Sequence, residues 1–248
     1  MFYYIISTLI DFDVLLILAA VIPAIILMIV VNRLDKLEKE KPSMLLKMVL
    51  FGILSANLAL LLEKIGDTVL CVFVSQEDKL YNILLYFLVV GLFEELSKYL
   101  LLHLGSWKSK EFNCQFDGVV YAVFVSLGFA LWENISYVLH YGFSTALLRA
   151  LTSVPGHACF GVFMGIFYGL ARGYKPKRKR TAKNVCKLMA LLIPTAIHGA
   201  YDYIITVESK FGDWIFIGFV LVMFTVSIIL IKRMSKKDKY YPVETDEQ

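Results

Sequence analysis

Long apolar blocks alternate with short charged strips along this chain, and their spacing predicts helices that cross a bilayer. A spanning helix needs about 20 mostly apolar residues, and seven blocks satisfy this, near 13–31, 46–62, 81–103, 118–140, 148–171, 187–206 and 212–231. Two apolar pieces fall outside them. Residues 1–10 have no basic leading segment and no small-residue cleavage site, and they run into Asp11 and Asp13; an interfacial N-terminus is expected rather than a cleaved signal peptide. Ile65 to Val74 is too short to span and is expected to lie on the surface or to re-enter. The predicted fold class is all-α: a polytopic membrane helical bundle of about seven transmembrane helices, forming a single integral membrane domain over 1–248. There is no internal repeat.

Composition agrees with this pattern. Hydrophobic residues make up 58% of the 248 positions, above the roughly 45–50% of soluble domains. A disordered chain, a secreted disulfide scaffold and a nucleic-acid-binding domain are excluded, since the net charge is only +4 and the basic residues are confined to particular loops. Lys and Arg concentrate in 32–47, 104–117, 172–187 and the tail 232–248, whereas the alternate loops hold only Lys64, Lys79, Arg149 and Lys210. Cytoplasmic loops carry the basic excess, so the N-terminus is expected outside and the C-terminus in the cytoplasm, with 172–187 a basic cytoplasmic loop that also attracts anionic lipid. Cys71, Cys114, Cys159 and Cys186 have no CxxC spacing and no two share the oxidising face, so no structural disulfide is expected.

Five charged residues remain inside the spans, Glu94, Glu95, Lys98, Glu133 and Asp202, and His157 and His198 join them. Each ionisable group near the bilayer centre costs at least ~2.5–3.5 kcal/mol and is a functional-site hypothesis by default. At about 1.5 Å rise per residue, Glu94, Glu133, His157 and His198 fall roughly 10–20 Å below the outer surface, so they can meet in one layer. His157 is followed at four-residue steps by Gly161, Gly165 and Gly169, a stripe that admits a close neighbour helix. Pro155 and Pro194 stand just before His157 and His198, where each frees a carbonyl and can kink its helix.

Glu94 and Lys98 are one turn apart, so an ion pair is expected. Adjacent Glu94 and Glu95 cannot face the same way; one can act as a general base while the other holds Lys98 or a neighbouring helix, or both can form a structural clasp. His198 and Asp202 share a face at i, i+4 and can bind a metal jointly, or Asp202 can orient the histidine. Glu133, His157, His198 and Asp202 are together the ligand types of catalytic zinc. Two other functions fit the same groups: an ion- or proton-coupled transporter, and a non-catalytic membrane scaffold in which they are interhelical glue.

These motifs, in this order, resemble the PrsW family of intramembrane metalloproteases, distant relatives of the CAAX prenyl protease and Abi group. Its EExxK pattern is matched by Glu94, Glu95 and Lys98, its FxxxEN by Phe129, Glu133 and Asn134, its lone histidine by His157, and its HxxxD by His198 and Asp202, all within a core of about 80–206. The resemblance implies a metal-dependent protease in a bacterial cell membrane that makes the site-1 cut in a single-pass anti-sigma factor on the extracytoplasmic side, in a stress response. A divalent metal, zinc first, is expected on Glu133, His157 and His198, with Asp202 as a fourth or supporting ligand. Glu94 or Glu95 is expected as the base, with Lys98 and Asn134 supporting the carboxylates or the oxyanion. No nucleic-acid partner is expected.

Overall fold

The computed structural model describes residues 12–176, 178–207 and 209–242; the expected interfacial segment 1–10 lies outside them. Nine α-helices are described: α1 (Phe12–Leu34), α2 (Pro42–Phe73), α3 (Lys79–Leu84), α4 (Leu92–Ser106), α5 (Asp117–Tyr141), α6 (Phe143–Leu151), α7 (Ser153–Gly173), α8 (Arg180–Ile205) and α9 (Lys210–Lys236). A π-helical turn, Leu85–Gly91, joins α3 to α4. Among the described residues, seven helical stretches are long and apolar enough to cross a membrane, and the chain is a multi-pass membrane protein.

Helix α5 is the centre of the bundle. Nearly every side chain from Val119 to Ala130 is buried, whereas α1, α2 and α9 turn leucines, isoleucines and valines outward to the lipid. Close packing around α5 depends on glycine. A Cβ on Gly165 would lie 2.5 Å from Val119 Cα, and one on Gly161 would lie 2.9 Å from Val123 Cα, so the stripe on α7 presses backbone against backbone of α5. Gly52 and Gly128 do the same between α2 and α5.

Two expectations are corrected. Ile65 to Val74 is no separate surface piece: α2 runs unbroken over 32 residues, about 48 Å at 1.5 Å per residue and longer than a hydrocarbon core of about 30 Å. No Pro interrupts it, and Asp67 within it accepts the Tyr81 hydroxyl of α3 at 2.5 Å. The fifth span is broken at Thr152, whose φ of −121° and ψ of −68° separate α6 from α7. Pro155 therefore sits in the first turn of α7, where its missing N–H costs nothing, while α8 runs continuously through Pro194.

At the face carrying the basic loops, the chain end is clasped to the α4–α5 connection. Tyr241 N–H donates to Asn113 O at 2.8 Å, Phe116 N–H to Asp238 Oδ1 at 2.9 Å, and the Tyr241 hydroxyl to Gly169 O at 2.7 Å. Asp35 and Glu40, from the α1–α2 connection, are buried beside this clasp.

Candidate active site

The π-helical turn places the first functional residues. Its last residue, Gly91, packs so closely on α8 that a Cβ would lie 3.1 Å from both Gly199 N and Thr195 O, and Gly199 in turn abuts Phe87. The turn is thus seated one residue from His198, and it sets the rotation of α4 one turn ahead of Glu94 and Glu95. π-Bulges recur at functional sites because the extra residue rotates the next helical turn and re-aims its side chains.

Lys98 is fully buried and is the hub. Its Nζ donates to Glu95 Oε1 at 2.7 Å and Glu94 Oε2 at 3.0 Å, lies 3.1 Å from His157 Nδ1, and sits 3.9 Å above the Phe129 ring. An ammonium has no acceptor, so Nδ1 of His157 accepts. The other nitrogen of that ring, Nε2, faces Glu133 Oε2 at 2.8 Å. On α8, His198 Nδ1 donates to Glu95 Oε1 at 2.9 Å, and its Nε2 lies 3.3 Å from Asp202 Oδ2 and 3.8 Å from Glu94 Oε2. Phe160 stacks on the His198 ring at 4.4 Å and fixes its plane.

The expected convergence is present. Among the described residues, one oxygen of Glu94 and one nitrogen each of His157 and His198 lie within 4.8 Å of one another. This donor set holds Glu94 in the place where the sequence pointed to Glu133. Glu133 instead flanks His157, Asp202 flanks His198, and Glu95 lies beneath with no exposure, its carboxylate shared by Lys98 and His198. Asn134 is buried against α1, donating to Ala20 O at 2.9 Å.

Glu94, Glu133, His157, His198 and Asp202 open onto a cavity of about 520 Å³ in the half of the bundle away from the basic loops, and Asn134 is not among its lining residues. Two charged residues on its wall escaped the sequence reading. Glu63, on α2, lines the cavity, as does Arg149, on α6, whose Nη2 lies 2.8 Å from Glu133 Oε2. Both lie at span ends, where charge is ordinary and attracts no notice. Only an apolar block that continued past Glu63, as the run to Val74 does, hinted that it belongs to the membrane.

The residues fit a divalent metal. Two imidazoles and a carboxylate converge; Glu95, by accepting from Nδ1–H of His198, leaves Nε2 of that ring as the open nitrogen, the usual arrangement behind a ligating histidine, while His157 keeps its Nε2–H on Glu133 and would offer a metal the Nδ1 that Lys98 Nζ now holds.

Fold and site together define a polytopic membrane protein with a buried histidine–carboxylate centre of hydrolase type. The model of the PrsW family of intramembrane metalloproteases matches residues 40–231, and the chain belongs to that family. It is 36% identical over 153 residues to Protease PrsW of Halalkalibacterium halodurans, covering 62% of this chain and 69% of that protein. Protease PrsW of Clostridioides difficile is 31% identical over 230 residues, 90% of this chain and 93% of that protein. That of Geobacillus kaustophilus is 31% identical over 218 residues, 88% and 91%. No solved structure matches.

Proposed function

We propose that this chain is a zinc-dependent protease that cuts a single-pass membrane protein of the anti-sigma-factor type, making the first, extracytoplasmic cut from a bacterial cell membrane. The observation that carries the reading is the meeting of Glu94, His157 and His198 on the wall of a cavity lying away from the basic loops. Basic loops mark the cytoplasmic side, so the cavity belongs to the outer half of the bilayer.

In this reading Glu94, His157 and His198 would hold the zinc, and Asp202 supports His198. The chemistry a zinc held there would supply is a lowered pKa for a bound water and polarisation of the scissile carbonyl. Glu95 fixes the tautomer and plane of His198. Glu133, whose side chain lines the cavity and is 23% exposed, takes the proton of the attacking water and passes it to the leaving amine. Lys98 neutralises Glu94 and Glu95, keeping two adjacent acids tolerable in a buried place.

The test compares Glu94→Gln and Glu133→Gln in the purified protein, by metal analysis and by cleavage of a reconstituted transmembrane substrate peptide. Glu94→Gln is expected to lose both metal and cleavage; Glu133→Gln is expected to keep metal and lose at least a hundredfold in rate, in line with general-base contributions of about 10²–10⁴. The reverse pattern would exchange the two roles. Full cleavage without stoichiometric metal would sink the zinc mechanism, and ion flux without cleavage would replace a protease by a transporter.

A further inference from the structure

Among the described residues lining the cavity, four carboxylates, Glu63, Glu94, Glu133 and Asp202, face one Lys or Arg side chain, that of Arg149. Its guanidinium is held from three directions. Nε donates to Asn134 Oδ1 at 3.0 Å, Nη2 lies 2.8 Å from Glu133 Oε2, and the group sits 4.0 Å above the Tyr137 ring. Asn134 is itself pinned to Ala20 O, so the anchor passes through α5 to α1. A planar fork that stacks on a ring while reaching two acceptors is what arginine supplies and lysine does not.

The oxygen that Arg149 meets, Oε2 of Glu133, is the same one that meets His157 Nε2. His157 keeps its Nε2–H on this oxygen and would offer a metal its other nitrogen, Nδ1; without the guanidinium the carboxylate is free to leave Nε2 and turn toward the metal. We propose that Arg149 is a positioning residue: held on Asn134 and Tyr137, it retains Glu133 against His157 and keeps that carboxylate from becoming a further metal ligand. This rests on the protease reading, with Glu133 as base. It also gives α6 a role, since that rim helix turns Phe143, Leu147 and Leu151 outward and carries the arginine inward.

The test measures two quantities on purified wild type, Arg149→Gln and Arg149→Lys: Zn²⁺ affinity by competition with a chromophoric chelator, and kcat and KM on a transmembrane peptide that the wild type cuts. For Arg149→Gln, kcat is expected to fall at least tenfold with KM within twofold, because an interaction on the reacting group is lost rather than one in substrate binding. Zn²⁺ is expected to bind at least threefold more tightly, because a nearby positive charge is gone and Glu133 is released toward the metal. Arg149→Lys should recover part of both changes. A site that had merely lost its structure would lose rate and zinc together. Unchanged kcat, or zinc affinity unchanged or weakened in Arg149→Gln, overturns the inference. A wild type that neither binds zinc nor cuts peptide fails before any variant is compared, so the protease reading falls first and this inference with it.

Discussion

Lys98 shows how much one side chain can decide. An ammonium has three N–H donors, and Glu94, Glu95 and His157 take them, so this one group ties two helices together at the site. Replacing it by Met leaves two adjacent carboxylates buried without their counter-charge. We expect Lys98→Met to lose about 3–5 kcal/mol of stability, the cost of breaking a buried pair, measured by unfolding in mixed micelles. Glu95→Gln tests the support of His198 separately: zinc affinity should drop about 10–100-fold by chelator competition, while the fold persists. Most of this site was legible because a charge inside an apolar block has no ordinary explanation, and Glu94, Glu95, Lys98, Glu133 and Asp202 all stand in such blocks. Which carboxylate joins the two histidines was not legible. Spacing puts residues on a helix face, but the choice between Glu94 and Glu133 depends on rotation between helices.

At the scale of elements, that rotation is set by the π-helical turn. Its sequence, Leu-Tyr-Phe-Leu-Val-Val-Gly, is apolar on every side, so no periodicity distinguishes it from ordinary α-helix. The glycine stripe, by contrast, was readable, and its consequence is measurable. A methyl group on Gly165 meets the α5 backbone at 2.5 Å, where nothing flexible can yield, whereas one on Gly218, on lipid-facing α9, meets nothing within 4 Å. Gly165→Ala should therefore cost about 1–3 kcal/mol as overpacking does, and Gly218→Ala should be neutral, in the same unfolding assay. Helix ends were the least legible elements. Glu63 to Asp67 look like a loop in a chain read for charge, yet α2 carries them because one faces the cavity and another accepts a tyrosine hydroxyl.

The molecule as a whole carries a second buried acidic region, remote from the cavity, where the α1–α2 connection meets the chain end. Burial pushes Asp35 up to about 6, with Lys39 opposing, and burial pushes Glu40 up to about 7, with the Tyr121 hydroxyl opposing. Both groups hold a proton more tightly folded than unfolded, so their contribution is full below their ordinary values of 3.8 and 4.5 and is lost as pH rises through about 6 and about 7. The melting temperature is expected to fall between pH 5 and pH 8, and to fall less in Asp35→Asn/Glu40→Gln, as followed by a thermal shift assay. No sequence pattern announced this region, because acids in a connecting loop are taken to be wet until the tail is seen to cover them.

The backbone crossings at Gly52, Gly128, Gly161 and Gly165 bear on the cavity as well as on packing. With no side chains between them to flip aside, α2, α5 and α7 form a wall that can neither slide nor part without breaking main-chain contact. On its other side the cavity is bounded by residues of α6 and the last turn of α8, so the wall is the rigid frame against which that side is set.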